Sequence, residues 1–364
     1  MYPALAVARA LRDARPDVEL SYIGGVRGME RRIVAGDALP YYQLVVRSLR
    51  GSGRDAHLVL DPIRLGASVP QAWWLLGRLR PAAVFTTGGY LALPLVLAAR
   101  ARGIPTLVWE GNVIAGRATA AVGRLASRVA VSFPPTLSTF PGRSFVSGTP
   151  IRSFAGVDRA TARASFGVEP DDRLLLVFGG SQAVARITAA LDDALERLLA
   201  DWRILHVAGE TGQAQAEAEA LRERLPSTLR DRYQPVSFLT DRMADALIAA
   251  DLVLGRAGSS TCAEVAAVGL ASILVPYPYA GGHQQANAAW LAGQGAAVLV
   301  PDAELDGERL LAEAARLRDD ATRAAMADAA RRLGRPDASA RIAAELLAMA
   351  ERRPLPSEAA GGDA

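Results

Sequence analysis

Residues Gly255 to Asn287 read GRAGSSTCAEVAAVGLASILVPYPYAGGHQQAN, and the order of features in this stretch decides the fold of the chain around it. The apolar run Leu252 to Leu254 leads into it as a strand buried on both faces, and a turn of small residues comes next. A helix then opens with Ser259, Ser260 and Thr261, whose hydroxyls can accept from the free amides at a helix start. Those amides and the aligned peptide dipoles also attract anions. One turn further in sits Glu264, an acid placed to accept from the paired hydroxyls of a ribose. A second apolar strand, Ala271 to Val275, ends in Pro276-Tyr277-Pro278, and a polar loop brings His283, Gln284, Gln285 and Asn287 to the mouth of the next helix. The plain alternative is that Ser-Ser-Thr only caps the helix and Glu264 only complements its dipole. As a block, strand, anion-ready helix, strand and amide-rich loop form half of a nucleotide-diphosphate pocket.

The 364 residues around this block suit two domains, each able to bury a core. Half of them are apolar, yet no apolar run is long enough to cross a bilayer, and no charged segment followed by an apolar core marks a signal peptide. The single cysteine, Cys262, excludes a disulfide framework and a cysteine-based zinc site and fits a reducing cytoplasm. Lysine is absent, so all 41 basic residues are arginine, which removes P-loop, Schiff-base and pyridoxal chemistry. Three histidines and no Asp-x-Asp pair argue against a dedicated metal site, and no cofactor is expected. A net charge of +3 is too small to point to nucleic acid.

The rest of the chain alternates helix and strand. Tyr2-Pro3-Ala4 opens a helix, with strands predicted at Val18 to Ile23, Ala82 to Thr86, Ile104 to Trp109 and Arg128 to Ser132, and helices at Leu91 to Arg102 and Ala115 to Leu125. Such alternation means a doubly wound parallel sheet covered on both faces. That sheet should begin with a central strand and a Gly-rich turn, whereas Met1 stands where the first helix begins. A coding sequence that starts upstream of Met1 is therefore expected. Between Val26 and Arg80 lie nine arginines and four acids, and Trp73-Trp74-Leu75-Leu76 is bordered by Arg78 and Arg80. This reads either as a core helix with a solvated arginine face or as a peripheral patch for an anionic membrane.

Ser147 to Arg152 marks the crossing into a second domain, with Arg152 at its start. There a helix is predicted at Arg159 to Phe166, and strands at Leu174 to Phe178, Ile204 to Ala208 and Val236 to Leu239. Gly179-Gly180-Ser181-Gln182 after the first of these strands is either a phosphate cradle or an ordinary turn. Helices run from Asp306 to Arg332 and from Ala338 to Arg352. The expected division is 1–150, 151–335, a helix over 336–352 that packs back on the first domain, and a disordered tail over 353–364.

The segments TTGGYLALPLVLAARARGIPTLVWEGN, VSGTPIR, LLLVFGGSQ and GRAGSSTCAE through HQQANAA, in this order, resemble the MurG family of UDP-N-acetylglucosamine transferases, glycosyltransferase family 28, over nearly the whole chain. The resemblance implies the GT-B fold, two Rossmann-like domains facing a cleft. It implies a donor, UDP-N-acetylglucosamine, on the C-terminal domain, and a lipid acceptor, lipid I, on the N-terminal one. It further implies a peripheral enzyme at the cytoplasmic face of the plasma membrane. By position, Arg152, Ser181 and Gln182 match diphosphate contacts, and Leu239 matches a backbone reader of the uracil. Arg256 and Ser259, Ser260, Thr261, Cys262, Ala263 and Glu264 match the segment around phosphates and ribose. Gln284 and Gln285 match contacts to the sugar, and Asn112 a residue near the transferred sugar.

The implied reaction is an inverting transfer to the 4-hydroxyl of N-acetylmuramate, with UDP leaving and lipid II formed. Helix-start amides and Arg152 would meet the charge that grows on the diphosphate, while a base would accept the hydroxyl proton. Pro3-Ala4-Leu5-Ala6-Val7 resembles the segment just after the family's first loop, Gly-Gly-Thr-Gly-Gly-His, whose histidine is the family's base; neither loop nor histidine stands in this chain. The family's His-Glu-Gln-Asn reads Trp109-Glu110-Gly111-Asn112 here, so Glu110 is the candidate catalytic stand-in or a structural acid. The chain as it stands is expected to bind donor weakly and transfer little. The competing readings are another GT-B glycosyltransferase acting on a lipid or natural product, a UDP-N-acetylglucosamine 2-epimerase, and a non-catalytic UDP-sugar binder. An NAD-linked oxidoreductase would require Gly-x-Gly-x-x-Gly after a strand, which neither Gly88-Gly89 nor Gly179-Gly180 supplies.

Overall fold

The structure, a computed structural model, describes residues 1–25, 34, 36–45, 57–89, 91–179, 185–209, 212–239, 242–279 and 281–359. The chain separates into two compact units, Met1–Ile151 with Pro336–Ala364, and Arg152–Arg335.

The first unit holds β1 (Tyr22–Gly25), β2 (Tyr41–Leu44), β3 (Val84–Thr86), β4 (Thr106–Glu110), β5 (Arg128–Val131) and β6 (Ser144–Val146). β1 pairs with β2, and β3 to β6 pair in sequential order, all in parallel. Alternate residues of β4 face opposite layers, as the two-residue period of a strand requires. Leu107 and Trp109 pack with Val7, Leu11, Ile342 and Leu346 of the helices Tyr2–Ala14 and Ala338–Glu351. Val108 packs instead with Ala92, Val96 and Val122 of the helices Ala92–Ala101 and Arg117–Gly123. Among the described residues no ladder joins the two sheets; apolar packing does, with Leu44 sharing a core with Val84, Leu75, Leu76 and Leu95.

The second unit holds β7 (Leu174–Phe178), β8 (Arg203–Val207), β9 (Tyr233–Val236), β10 (Leu252–Gly255), β11 (Ala271–Leu274) and β12 (Val298–Leu299). They form one parallel sheet in the order β12-β11-β10-β7-β8-β9. The strand that comes first in sequence, β7, therefore joins the two halves of the sheet, a position that no described strand fills in the first unit.

Three expectations are corrected. β9 lies three residues earlier than Val236 to Leu239, and Pro235 within it is accommodated on the outer edge of the sheet. The helix foreseen from Asp306 to Arg332 is two helices, Gly307–Arg316 and Asp320–Leu333, and the second is opened by Asp319, whose carboxylate accepts from Thr322 N–H at 2.7 Å. The tail foreseen as disordered instead forms the helix Pro356–Ala359 within its described part, where Ser357 donates from Oγ to the buried Glu345 at 2.7 Å.

Candidate functional site

Counted in sequence order within the second unit, the strands lie third, second, first, fourth, fifth, sixth when the sheet is taken from β9 to β12. In this arrangement the crossovers leave β7 in one direction and β10 in the other, which makes this the switch point, beyond whose strand carboxyl ends sheets of this kind hold their ligands. Gly255 ends β10 beside Phe178, the last residue of β7. A Cβ at Gly255 would stand 3.1 Å from Phe178 O, tighter than an ordinary contact, so a side chain there would press on the neighbouring strand.

Gly258 caps the helix Ser259–Val268 without a side-chain bond. Ser259, Ser260 and Thr261 therefore occupy the first turn and do not act as hydroxyl caps. The first helical bond runs from Cys262 N–H to Gly258 O at 3.0 Å, so the amides of the three preceding residues lie ahead of the hydrogen-bonded ladder. They meet the condition for anion binding at a helix start. Cys262 is turned inward; burial pushes its thiol up to about 12, and its amide is already committed, so its expected place among the contacts is not met by any free polar group. Ala263 is half-buried and offers no polar side chain.

Glu264 is 6% exposed and accepts from Arg152 Nε at 2.7 Å. Burial raises its carboxyl above the ordinary range, and the charge and hydrogen bond of Arg152 pull the other way. Two residues expected to touch adjacent parts of one ligand, diphosphate and ribose, are thus in contact across 112 positions of sequence.

Beyond β11, Gln284 is half-buried and its Oε1 accepts from Tyr277 N–H at 2.9 Å, while Gln285 is exposed. Asn287 is fully buried and donates to Ala257 O at 3.2 Å, which ties this helix to the turn that carries the anion-ready amides. Arg256, expected among ligand contacts, is 5% exposed and bonded to Asp302 and Val275 O, with its guanidinium over the Tyr277 ring. Asp302 carried no motif in the sequence; the only signal was that a buried arginine needs a counter-charge. Leu239 lies past β9 with its side chain buried. Ser181 and Gln182 lie outside the described residues.

In the first unit Glu110 closes β4 and is fully engaged. Its Oε1 accepts from Asn112 N–H at 2.9 Å and from Asn112 Nδ2 at 3.0 Å, and its Oε2 from Gly116 N–H at 3.0 Å. Thr136 holds the same loop from the other side, donating from Oγ1 to Asn112 O and Val113 O at 3.0 Å.

The descriptions that match this chain are the glycosyltransferase family 28 N-terminal domain over residues 1–131 and the family's C-terminal domain over residues 174–342. Among curated relatives, the UDP-N-acetylglucosamine--N-acetylmuramyl-(pentapeptide) pyrophosphoryl-undecaprenol N-acetylglucosamine transferase of Salinibacter ruber is 37% identical over 355 residues, covering 97% of this chain and 94% of that protein. Its namesake from a Nocardioides species is 40% identical over 353 residues, covering 95% and 93%. Among solved structures, MurG of Acinetobacter baumannii is 30% identical with a TM-score of 0.74, covering 95% of each chain. A UDP-N-acetylglucosamine 2-epimerase from Listeria monocytogenes reaches a TM-score of 0.72 over 97% of this chain and 94% of that one at 13% identity, a likeness of fold alone. With both domain descriptions matched in order and relatives of this identity along almost its whole length, the chain belongs to the MurG family of glycosyltransferases, family 28, and has the family's GT-B fold of two Rossmann-like domains.

Proposed function

We propose that this protein transfers N-acetylglucosamine from UDP-N-acetylglucosamine to the 4-hydroxyl of N-acetylmuramate in undecaprenyl-pyrophosphoryl-N-acetylmuramyl-pentapeptide, with inversion at the anomeric carbon, converting lipid I to lipid II. The observation that carries this reading is the pairing of Arg152 with Glu264 on the helix Ser259–Val268, whose start is capped by no side chain, at the switch point of the second sheet. The names of the relatives support the same reaction.

In this reading the Ser259 and Ser260 amides and the Arg152 guanidinium receive the charge that grows on UDP as the glycosidic bond breaks. A guanidinium suits this because its fork of donors matches phosphate oxygens. Glu264 accepts from the ribose hydroxyls, the backbone at Leu239 reads the uracil edge, and Gln284 donates to the sugar. Ser181 and Gln182 keep their proposed place at the diphosphate. Glu110 is assigned the structural role of holding Asn112 in place, a role supported by the three bonds its oxygens accept from the loop. In this reading the acceptor proton passes to a group other than Glu110.

Calorimetry with UDP-N-acetylglucosamine, its C4 epimer and free UDP tests the donor, and formation of lipid II from a lipid I analogue tests the transfer. Preferential binding of UDP-N-acetylglucosamine and product on the N-acetylmuramate 4-hydroxyl are expected. Binding of no uridine nucleotide, or turnover without an acceptor to the free sugar epimer, would overturn the reading.

The finer proposal of a peripheral site on an anionic membrane, at the cytoplasmic face, rests on the first unit. Trp73 and Trp74 are 42% and 62% exposed, with Arg102 4.1 Å from the first ring centre and Arg78 5.7 Å from the second. Indole rings flanked by guanidinium groups suit the interface between acyl chains and charged headgroups. No helix among the described residues is long and apolar enough to cross a membrane. Flotation with vesicles containing anionic lipid should be lost in the Trp73→Ala/Trp74→Ala variant, and equal flotation with neutral vesicles would remove the proposal.

A further inference from the structure

Arg256 and Asp302 lie 46 positions apart, one just past β10 and the other opening the 3₁₀ turn Asp302–Glu304 beyond β12. They meet at 2.5 Å between Nη1 and Oδ1, with side-chain exposures of 6% and 21%. The same Nη1 donates to Val275 O at 3.2 Å, and the guanidinium carbon stands 5.6 Å from the centre of the Tyr277 ring. A single buried cation thus grips the chain at two points of the turn that leaves β11. That turn is also held from the sheet side, where Val275 N–H donates to Gly255 O at 2.8 Å.

The turn in its place does something to a neighbour. Tyr277 N–H donates to Gln284 Oε1 at 2.9 Å. A backbone N–H can bond only the oxygen of a carboxamide, so this contact fixes which end of Gln284 faces Tyr277 and which faces away. The NH₂ group is left as the presented end, two donors matched to the lone pairs of hydroxyl oxygens.

We infer that Asp302 is a positioning residue for the donor sugar, acting through Arg256 and the Val275–Tyr277 turn on the carboxamide of Gln284. The inference rests on the donor-site reading above and adds to it a residue that would touch neither nucleotide nor sugar. Removing the carboxylate leaves the buried guanidinium without the acid it pairs with here, and a desolvated charge that has lost its counter-ion turns toward water. The turn then loses its two anchors to Arg256, and Gln284 loses the amide that orients it. Uridine and diphosphate are bound by other groups, so the damage falls on the sugar's share of the affinity.

Calorimetry with UDP and with UDP-N-acetylglucosamine on the full chain, Asp302→Asn, Gln284→Ala and the double variant tests this. The affinity for UDP should stay within about twofold in all four, while that for UDP-N-acetylglucosamine falls about tenfold in each single variant, the effect of one lost hydrogen bond. The double variant should be no weaker than Gln284→Ala alone, since both changes remove one arrangement. Asp302→Glu, which keeps the charge, should recover part of the loss. Equal weakening of UDP and UDP-sugar in Asp302→Asn would mean general damage and would overturn the inference, as would unchanged affinity or additive losses in the double variant. Failure of the unaltered chain to bind UDP is a separate result, one that removes the donor site itself.

Discussion

Glu110 and Glu264 are both buried acids near the carboxyl end of a parallel strand, 3% and 6% exposed, yet their company differs. Glu110 takes three bonds from its own loop, all from residues within six positions. Among the described residues the side chain of Glu264 has one partner, Arg152, 112 positions away. A carboxylate has about four lone-pair sites, so one held by a single guanidinium retains most of its acceptor capacity, whereas one with three of them taken by its own loop is chiefly a fixture of the backbone. Burial by itself does not mark a functional acid. What marks it is the source of its partners and how much capacity is left for a ligand.

The sharpest way to break this contrast is to truncate each acid and read affinity and stability side by side. Glu264→Ala removes the ribose acceptor and the carboxylate that orients Arg152, and a loss of UDP affinity of about a hundredfold is expected by calorimetry. Glu110→Ala should leave UDP affinity nearly unchanged and cost roughly 2–3 kcal/mol of stability, a fall of several degrees in thermal melting. Should Glu110→Ala abolish transfer with melting unmoved, Glu110 takes part in the chemistry and the contrast fails.

His206 extends the comparison to a buried base. Its Nδ1 lies 2.8 Å from Tyr233 Oη, its Nε2 has no partner among the described residues, and burial lowers its pKa to about 4. The unfolded ring holds its proton up to roughly 6.5, so between these values the unfolded chain binds more protons than the folded one. The stability from a neutral His206 is fully present above that range and is lost as pH falls, by about 2 kcal/mol at pH 5. Denaturant melts across pH should show this slope in the parent and a flatter one in His206→Phe; equal slopes would mean that another group titrates.

The smallest effect concerns Glu264 again. Because burial raises its carboxyl, protonation begins at a higher pH than for an ordinary glutamate, and the acceptor form is lost correspondingly early. UDP affinity should decline as pH falls from 7.5 to 5.5, and Glu264→Gln, weaker throughout, should be flat over the same range. A decline preserved in the glutamine variant would assign it to another group.

Much of this was legible in the residues. β7 was foreseen at its observed bounds because Leu174 to Phe178 is a continuous apolar run bounded by polar and glycine residues. β2 was missed because Tyr-Tyr-Gln-Leu has too little pattern in four residues, and β12 because it has two. β9 begins ahead of its expected bounds, and Pro235 within it is tolerated because the strand lies at a sheet edge, which no local signal announces. The Ser-Ser-Thr run was rightly placed at a helix start, but Gly258 took the cap position and changed what those residues offer.

Local sequence was enough to establish alternating helices and parallel strands, a helix opening suited to anions, and the acid one turn inside it, because each depends on residues a few positions apart. The pairing of charges required the folded sheet. Arg152 meets Glu264 and Arg256 meets Asp302 only because β7 and β10 lie side by side with β11 and β12 beyond them, and ion pairs spanning 112 and 46 residues depend on that strand order. No property of the individual side chains encodes it.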